Sequence, residues 1–146
     1  MPIDIFCHRV TVEPSDIDEN QHANNTCYLR WMNEAALAHS AANGWFPLRY
    51  VELGASWFAR KHTIEYLAPA KEKDQLVVFT WVSDWKGVRS TRQYRFFREH
   101  DNVLAAKAET LWAFVDLTTG KPTKIADDVT TAFVVAQPDE KHLLPT

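Results

Sequence analysis

Apolar side chains recur along this chain with two spacings, and the change from one to the other divides it into elements. In residues 3–13 (IDIFCHRVTVE), Ile3, Ile5, Cys7, Val10 and Val12 alternate with polar neighbours and slip register once, which predicts a bulged strand. Residues 14–25 (PSDIDENQHANN) are turn and cap formers, so they read as a solvated loop or a site. Over 26–43 the period lengthens. Tyr28, Trp31, Met32, Ala35, Ala36 and His39 fall on one helical face, with Arg30, Asn33 and Glu34 opposite. Asn24 or Asn25 can cap this helix and Gly44 can close it. At 1.5 Å per residue it spans about 27 Å. A connector (45–54) leads to four strand-like runs, 55–67, 74–85, 89–99 and 103–116. The links between them are short, so successive strands are expected to pair antiparallel as a meander. Residues 126–136 read as a short last helix, and the tail after about 137 as loosely ordered.

One long helix and about five antiparallel strands make an α+β domain of two layers, a single unit over 1–146. A curved sheet wrapped around the helix would bury both apolar faces. Trp57, Trp81, Trp85 and Trp112 exceed what one inner sheet face should hold, so a second copy is expected to cover the rest, in a homodimer or homotetramer.

Composition narrows the function classes. A net charge of -3 excludes the basic excess of a general nucleic-acid binder. No apolar run approaches the roughly 20 residues of a membrane-spanning helix. No basic stretch followed by an apolar one opens the chain, so a cytoplasmic location without a signal peptide is expected. Cys7 and Cys27 lack the spacing of a disulfide framework or a zinc motif, and read as reduced thiols.

The candidate chemistry lies in Pro14 to Asn25: three acids, one histidine and several side-chain amides ending at a helix N-terminus. Asp and Asn before a helix are ordinarily caps. Free backbone N–H groups at a helix start also polarise a carbonyl oxygen and stabilise an oxyanion. An upstream carboxylate could attack that carbonyl or activate water. Asp16, Asp18 and His22 lack metal-ligand spacing, so no metal is expected.

The run VEPSDIDENQHANNTCYLRWMNE (Val12 to Glu34) resembles the opening motif of the hotdog-fold acyl-CoA thioesterases of the 4-hydroxybenzoyl-CoA thioesterase type. Asp16 and Asp18 match its acid pair, and His22, Asn24, Asn25, Tyr28 and Trp31 match the positions that follow. The likeness continues through TIEYLAPAKEKDQLVVFTWV and covers about residues 8–116. It implies a hotdog fold and hydrolysis of an acyl-CoA to free acid and CoA, with no cofactor beyond the coenzyme A of the substrate. It also implies that Asp18 is the catalytic carboxylate, as nucleophile or general base. The Asn25 amide N–H would polarise the thioester carbonyl, while His22 and Asn24 shape the loop. The family's usual Gly before the His position is Gln21 here. A Gly at that place permits positive φ or close substrate approach.

Other residues complete the expected site. Lys86 and Arg89 flank the Gly87 turn, with Arg92 beyond, where the family often holds CoA phosphates. Trp45, Trp57 and Phe58 are candidates to line an acyl pocket, and aromatic faces would also suit a quaternary ammonium acyl group. Cys27, one turn into the helix, is an alternative nucleophile if the helix start lowers its pKa. Two rival readings stand beside the thioesterase. One is a hotdog dehydratase or hydratase, which would have to use His22 and Glu34. The other is a non-catalytic acyl-ligand-binding module.

Overall fold

The computed structural model describes residues 2–143. Strand β1 (Ile5–Thr11) leads through a 3-10 turn to helix α1 (Asn25–Ala42) and a short helix α2 (Pro47–Leu53). Strands β2 (Ala55–Tyr66), β3 (Gln75–Lys86), β4 (Arg89–Arg98) and β5 (Leu104–Asp116) follow, then the helical turn α3 (Asp127–Thr130). The expected strands are all present, within two residues at either end. Helix α2 replaces the connector. Its signals were Pro47, preset for a first helical turn, and Gly54, which closes it at φ +85°.

All five strands are antiparallel, in the order β1-β3-β4-β5-β2. This corrects the meander, because β2 pairs with β5 and not with β3. Residues 67–74 cross the sheet instead of turning back. Leu67 and Ala68 donate to the Ala105 carbonyl, Arg98 donates to the Pro69 carbonyl, Ala23 to that of Ala70, and Lys73 to that of Val12. Three strand spacings are about 14 Å, well within the reach of eight extended residues.

Helix α1 buries Tyr28, Trp31, Met32, Ala35 and His39, the expected stripe; Ala36 stays partly covered. It lies over the β1–β3 side of the sheet, against Val10, Val12, Leu76 and Val78. Side chains such as these contribute about 1.5–3 kcal/mol each on burial. A second apolar cluster, with Trp45, Tyr50, Val82, Phe114 and Phe133, fills the other end beneath α2 and α3. Buried polar groups separate the two clusters: Thr80, Arg92, Thr110 and His39.

The tryptophans depart from expectation. Trp57, Trp85 and Trp112 all line an interior cavity. Trp85 is turned inward by a bulge between Val82 and Asp84, which reverses the alternation after Trp81. Trp81 faces outward but is covered by the chain itself. Leu143 and Ala136 pack on it with Phe97 and Ile5, Arg95 stacks on its ring, and Glu140 pairs with Arg95 at 2.8 Å. Residues 139–143 are thus docked, not loose; Thr146 and its two neighbours lie outside the described residues. The expected last helix shrinks to α3, after which Val135 bridges to Val82. Tryptophan surplus therefore makes no case for a second copy.

His39 joins the layers. Its Nδ1 lies 2.8 Å from Arg92 Nη1, and its Nε2 lies 2.6 Å from the Ile3 carbonyl. Arg92 can only donate, so Nδ1 accepts and Nε2 carries the proton. Burial, and then the Arg92 charge, push the His39 pKa from 6.5 down to about 4. The unfolded chain therefore takes up this proton first as pH falls. The His39 contribution to stability is fully present above about pH 6.5 and lost between about 6.5 and 4, on the order of 3 kcal/mol in all. Urea unfolding of wild type and His39→Gln across that range is expected to show the gap between the two proteins closing as pH drops. A constant gap would mean that another group titrates.

Candidate active site

Residues 16–24 fold back on themselves before α1. Asn24 N–H donates to the Asp16 carbonyl at 2.7 Å, Ile17 pairs with Ala23, and Asp18 N–H donates to the His22 carbonyl at 2.9 Å. This small hairpin sets Asp18 opposite His22 and delivers Asn24 to the helix N-cap. There the Asn24 Oδ1 accepts from the Thr26 amide at 3.0 Å. The Asn25 amide N–H has no acceptor among the described residues, as expected of a first-turn donor. Tyr66, at the end of β2, donates its hydroxyl to the Asn25 carbonyl at 3.1 Å.

The two acids differ sharply. Asp16 is buried. Its Oδ1 takes a 2.7 Å bond from Arg30, and its Oδ2 accepts from the Glu13 amide. Burial raises the Asp16 pKa, but the Arg30 guanidinium and the Glu13 amide outweigh it and hold the carboxyl below its usual range. Asp18 is half-buried and unpaired by any cation among the described residues. Its Oδ1 accepts from the Asn20 and His22 amides, at 2.9 and 3.3 Å, and its Oδ2 has no protein partner. Asp16 is spent on structure, while Asp18 keeps an oxygen free.

Gln21 sits at the tip of this hairpin with φ +65°. The backbone there needs the left-handed conformation that Gly would supply, and Gln21 adopts it as a side-chain-bearing residue. Cys27 is buried, with its thiol 3.7 Å from Asp16 Oδ1. Burial and the Asp16 charge raise its pKa, so the helix start does not produce a thiolate there. Glu34 faces His8 and Arg30 on the outer side of α1, at 3.8 and 3.7 Å. It thus has other partners than the hydratase reading would give it.

A separate cavity of about 340 Å³ lies under the second half of α1. Trp45, Trp57, Trp85, Trp112, Tyr50 and Phe133 form its aromatic wall. Phe58 does not join it, because successive strand residues face opposite sides; it is 51% exposed. Arg92 is inside the cavity wall and not on the surface with Lys86 and Arg89. Those two stand exposed at the hairpin tip, at the far end of β3 from the Asp18 loop. Twelve strand residues separate the two ends, about 36 Å along the strand. Within one protomer they are therefore not part of one site.

A family profile for the thioesterase-like superfamily matches residues 12–133, and the chain belongs to that superfamily. Its fold is the hotdog fold. A 1,4-dihydroxy-2-naphthoyl-CoA thioesterase from Synechocystis aligns with a TM-score of 0.81 at 19% identity, over 88% of this chain and 94% of its own. A Staphylococcus aureus protein solved in complex with CoA gives 0.83 at 18%, over 97% and 94%. A gentisyl-coenzyme A thioesterase gives 0.79 at 16%, over 88% and 100%. At these identities the likeness concerns the fold. No curated protein matches the chain in sequence.

The Gln21 conformation generates a test. Left-handed backbone costs a side-chain-bearing residue roughly 1–2 kcal/mol, and a new Gly returns about 0.5–1 kcal/mol of that as chain entropy. Gln21→Gly is expected to raise the midpoint of thermal unfolding slightly, by up to about 1 kcal/mol of stability. Gln21→Val should lower it, because a β-branched residue tolerates positive φ least. A Gly variant that melts clearly earlier would mean that the Gln21 side chain itself stabilises the loop.

Proposed function

We propose that the chain hydrolyses an acyl-CoA thioester, with Asp18 as the working carboxylate and the Asn25 amide as the donor to the carbonyl oxygen. The observation that carries this reading is the division of labour between the acids. Asp16 holds the loop through Arg30, and Asp18 keeps a free oxygen beside a helix start with an unspent N–H. Membership of a thioesterase superfamily supports the same chemistry. Asp18 attacks the thioester carbon or deprotonates a water that does. The oxyanion forms against the helix start, where the aligned peptide dipoles favour negative charge. Collapse of the tetrahedral intermediate expels the CoA thiolate; on the nucleophilic route this leaves a mixed anhydride on Asp18, which water then hydrolyses to the free acid. His22 and Asn24 keep the loop in shape.

The working unit in this reading is a dimer or tetramer. Strand β2 is an edge strand of twelve residues whose other side is unpaired, and most of it is exposed. Its inner-facing Ala59 and His62 are exposed, while Tyr66 packs on Tyr28 of α1. Leu37 on α1, on the rim of the cavity with Trp57 of β2, is 56% exposed. A long uncovered edge next to apolar surface pairs readily with another copy. Helices of two protomers would lie side by side and the sheets would join at β2. Lys86 and Arg89 can then hold CoA phosphates only for the partner's Asp18 loop.

Asp18→Asn keeps an acceptor oxygen for the Asn20 and His22 amides but removes the charge. Thiol release is expected to show kcat lower by roughly 10²–10⁴, with little change in melting temperature. Asp16→Asn should instead cost stability, because Arg30 loses its partner. If Asp18→Asn retains most of the rate while Cys27→Ala abolishes it, the thiol is the nucleophile. Wild type that releases no thiol from any acyl-CoA would leave the binding-module reading. Light scattering at micromolar concentration is expected to return a dimer or tetramer mass, and a monomer mass would remove the shared-site arrangement.

A further inference from the structure

We propose that the aromatic cavity under α1 is an acyl subsite built for an acyl group whose far end carries a carboxylate, with Arg92 as its counter-ion. The proposal rests on the thioesterase reading for its substrate, but its physical basis is separate. Arg92 is 6% exposed and lines the cavity. Its Nη1 donates to His39 Nδ1 and to Thr80 Oγ1, at 2.8 and 3.1 Å. Its Nε and Nη2 have no protein acceptor, yet they are not fully enclosed. No carboxylate lies within ion-pair distance of it among the described residues, whereas Arg9, Arg30, Arg95 and Arg98 each have one. Both neighbours on its Nη1 are neutral, since His39 takes a proton only near pH 4.

A buried guanidinium without a counter-ion is costly, and its planar fork suits a bidentate carboxylate. Trp45 lines the same cavity with its ring, while its Nε1 is enclosed and without a partner among the described residues. The remaining polar lining is hydroxyl and amide: Asn33, Ser40, Tyr50, Ser56 and Ser90, with no acid. A cavity with donors to spare and no anion of its own selects an anionic ligand end. The rest of its wall is aromatic and takes the apolar part of the acyl chain. The quaternary ammonium alternative finds the aromatic faces it needs, but it would bring a cation against Arg92.

The test uses matched acyl-CoAs: adipoyl-CoA and suberoyl-CoA against hexanoyl-CoA and octanoyl-CoA, with 6-(trimethylammonio)hexanoyl-CoA as the cationic analogue. Thiol release by wild type is expected to favour the carboxylate-ended member of each pair in kcat/KM by about ten- to a hundredfold, the scale of a charged hydrogen bond. Arg92→Met should erase or invert that preference. In parallel, quenching of tryptophan fluorescence by free hexanoate and octanoate, against the neutral hexanamide and octanamide, reads the subsite without catalysis. Binding of the carboxylates but not of the amides, without thiol release from any substrate, would sink the thioesterase reading and keep the anion subsite. Hydrolysis of hexanoyl-CoA as fast as adipoyl-CoA, with equal quenching by each acid and its amide, would overturn the subsite and leave the thioesterase standing. A preference for the cationic substrate would overturn it in favour of an aromatic cation box.

Discussion

An eighteen-residue helix with one apolar stripe has a single sheet on which to bury it, and the rest of the molecule follows from how that burial is shared out. Trp31, Met32 and Ala35 reach full burial against the β1–β3 side. The β5–β2 side of the same inner face is left without a helix of its own. At the end near α2 that vacancy becomes the aromatic cavity; along β2 it becomes a bare edge and exposed inner positions. Cavity and open edge are two consequences of one helix being too narrow for a five-stranded sheet.

Charge placement follows the same division. The Asp16–Arg30 pair sits where the loop enters α1 and ties the hairpin down, while Asp18 gives one oxygen to the loop amides and keeps the other free. Deeper in, Arg92 bridges β4, β3 and α1 through Thr80 and His39. It stands between the two apolar clusters, each of which would exclude it alone. One charged residue is thus neutralised within the chain, and the other is left with donors that the fold does not use.

The loop half of the candidate site was legible because its logic is local. Asp18, His22, Asn24 and Asn25 lie within eight residues, and one hairpin with one N-cap brings them together. The cavity half was not. Trp85 turns inward only because Ser83 is an extra residue in β3 opposite β4, and a bulge has no dependable signature in one strand alone. Arg92, Trp112 and Tyr50 meet through pairings between segments far apart in the chain. Trp57 and Trp45 were found as aromatic candidates, and Phe58 was placed with them because neighbours in sequence were read as neighbours in space.

By itself the amino-acid sequence determined the elements and the local turn of the loop into α1, since period, caps and turn formers act over a few residues. The 3.6-residue spacing from Tyr28 to His39 has one helical solution, and Gly87 and Asn102 mark tight links through positive φ. Tertiary structure alone decided which strands are neighbours, which tryptophans point inward and what becomes of the tail. An eight-residue connector can either turn back or cross two strands, and chain length does not choose between them. The choice belongs to the sheet as a whole, which curls until α1 is covered and leaves β2 at the open edge.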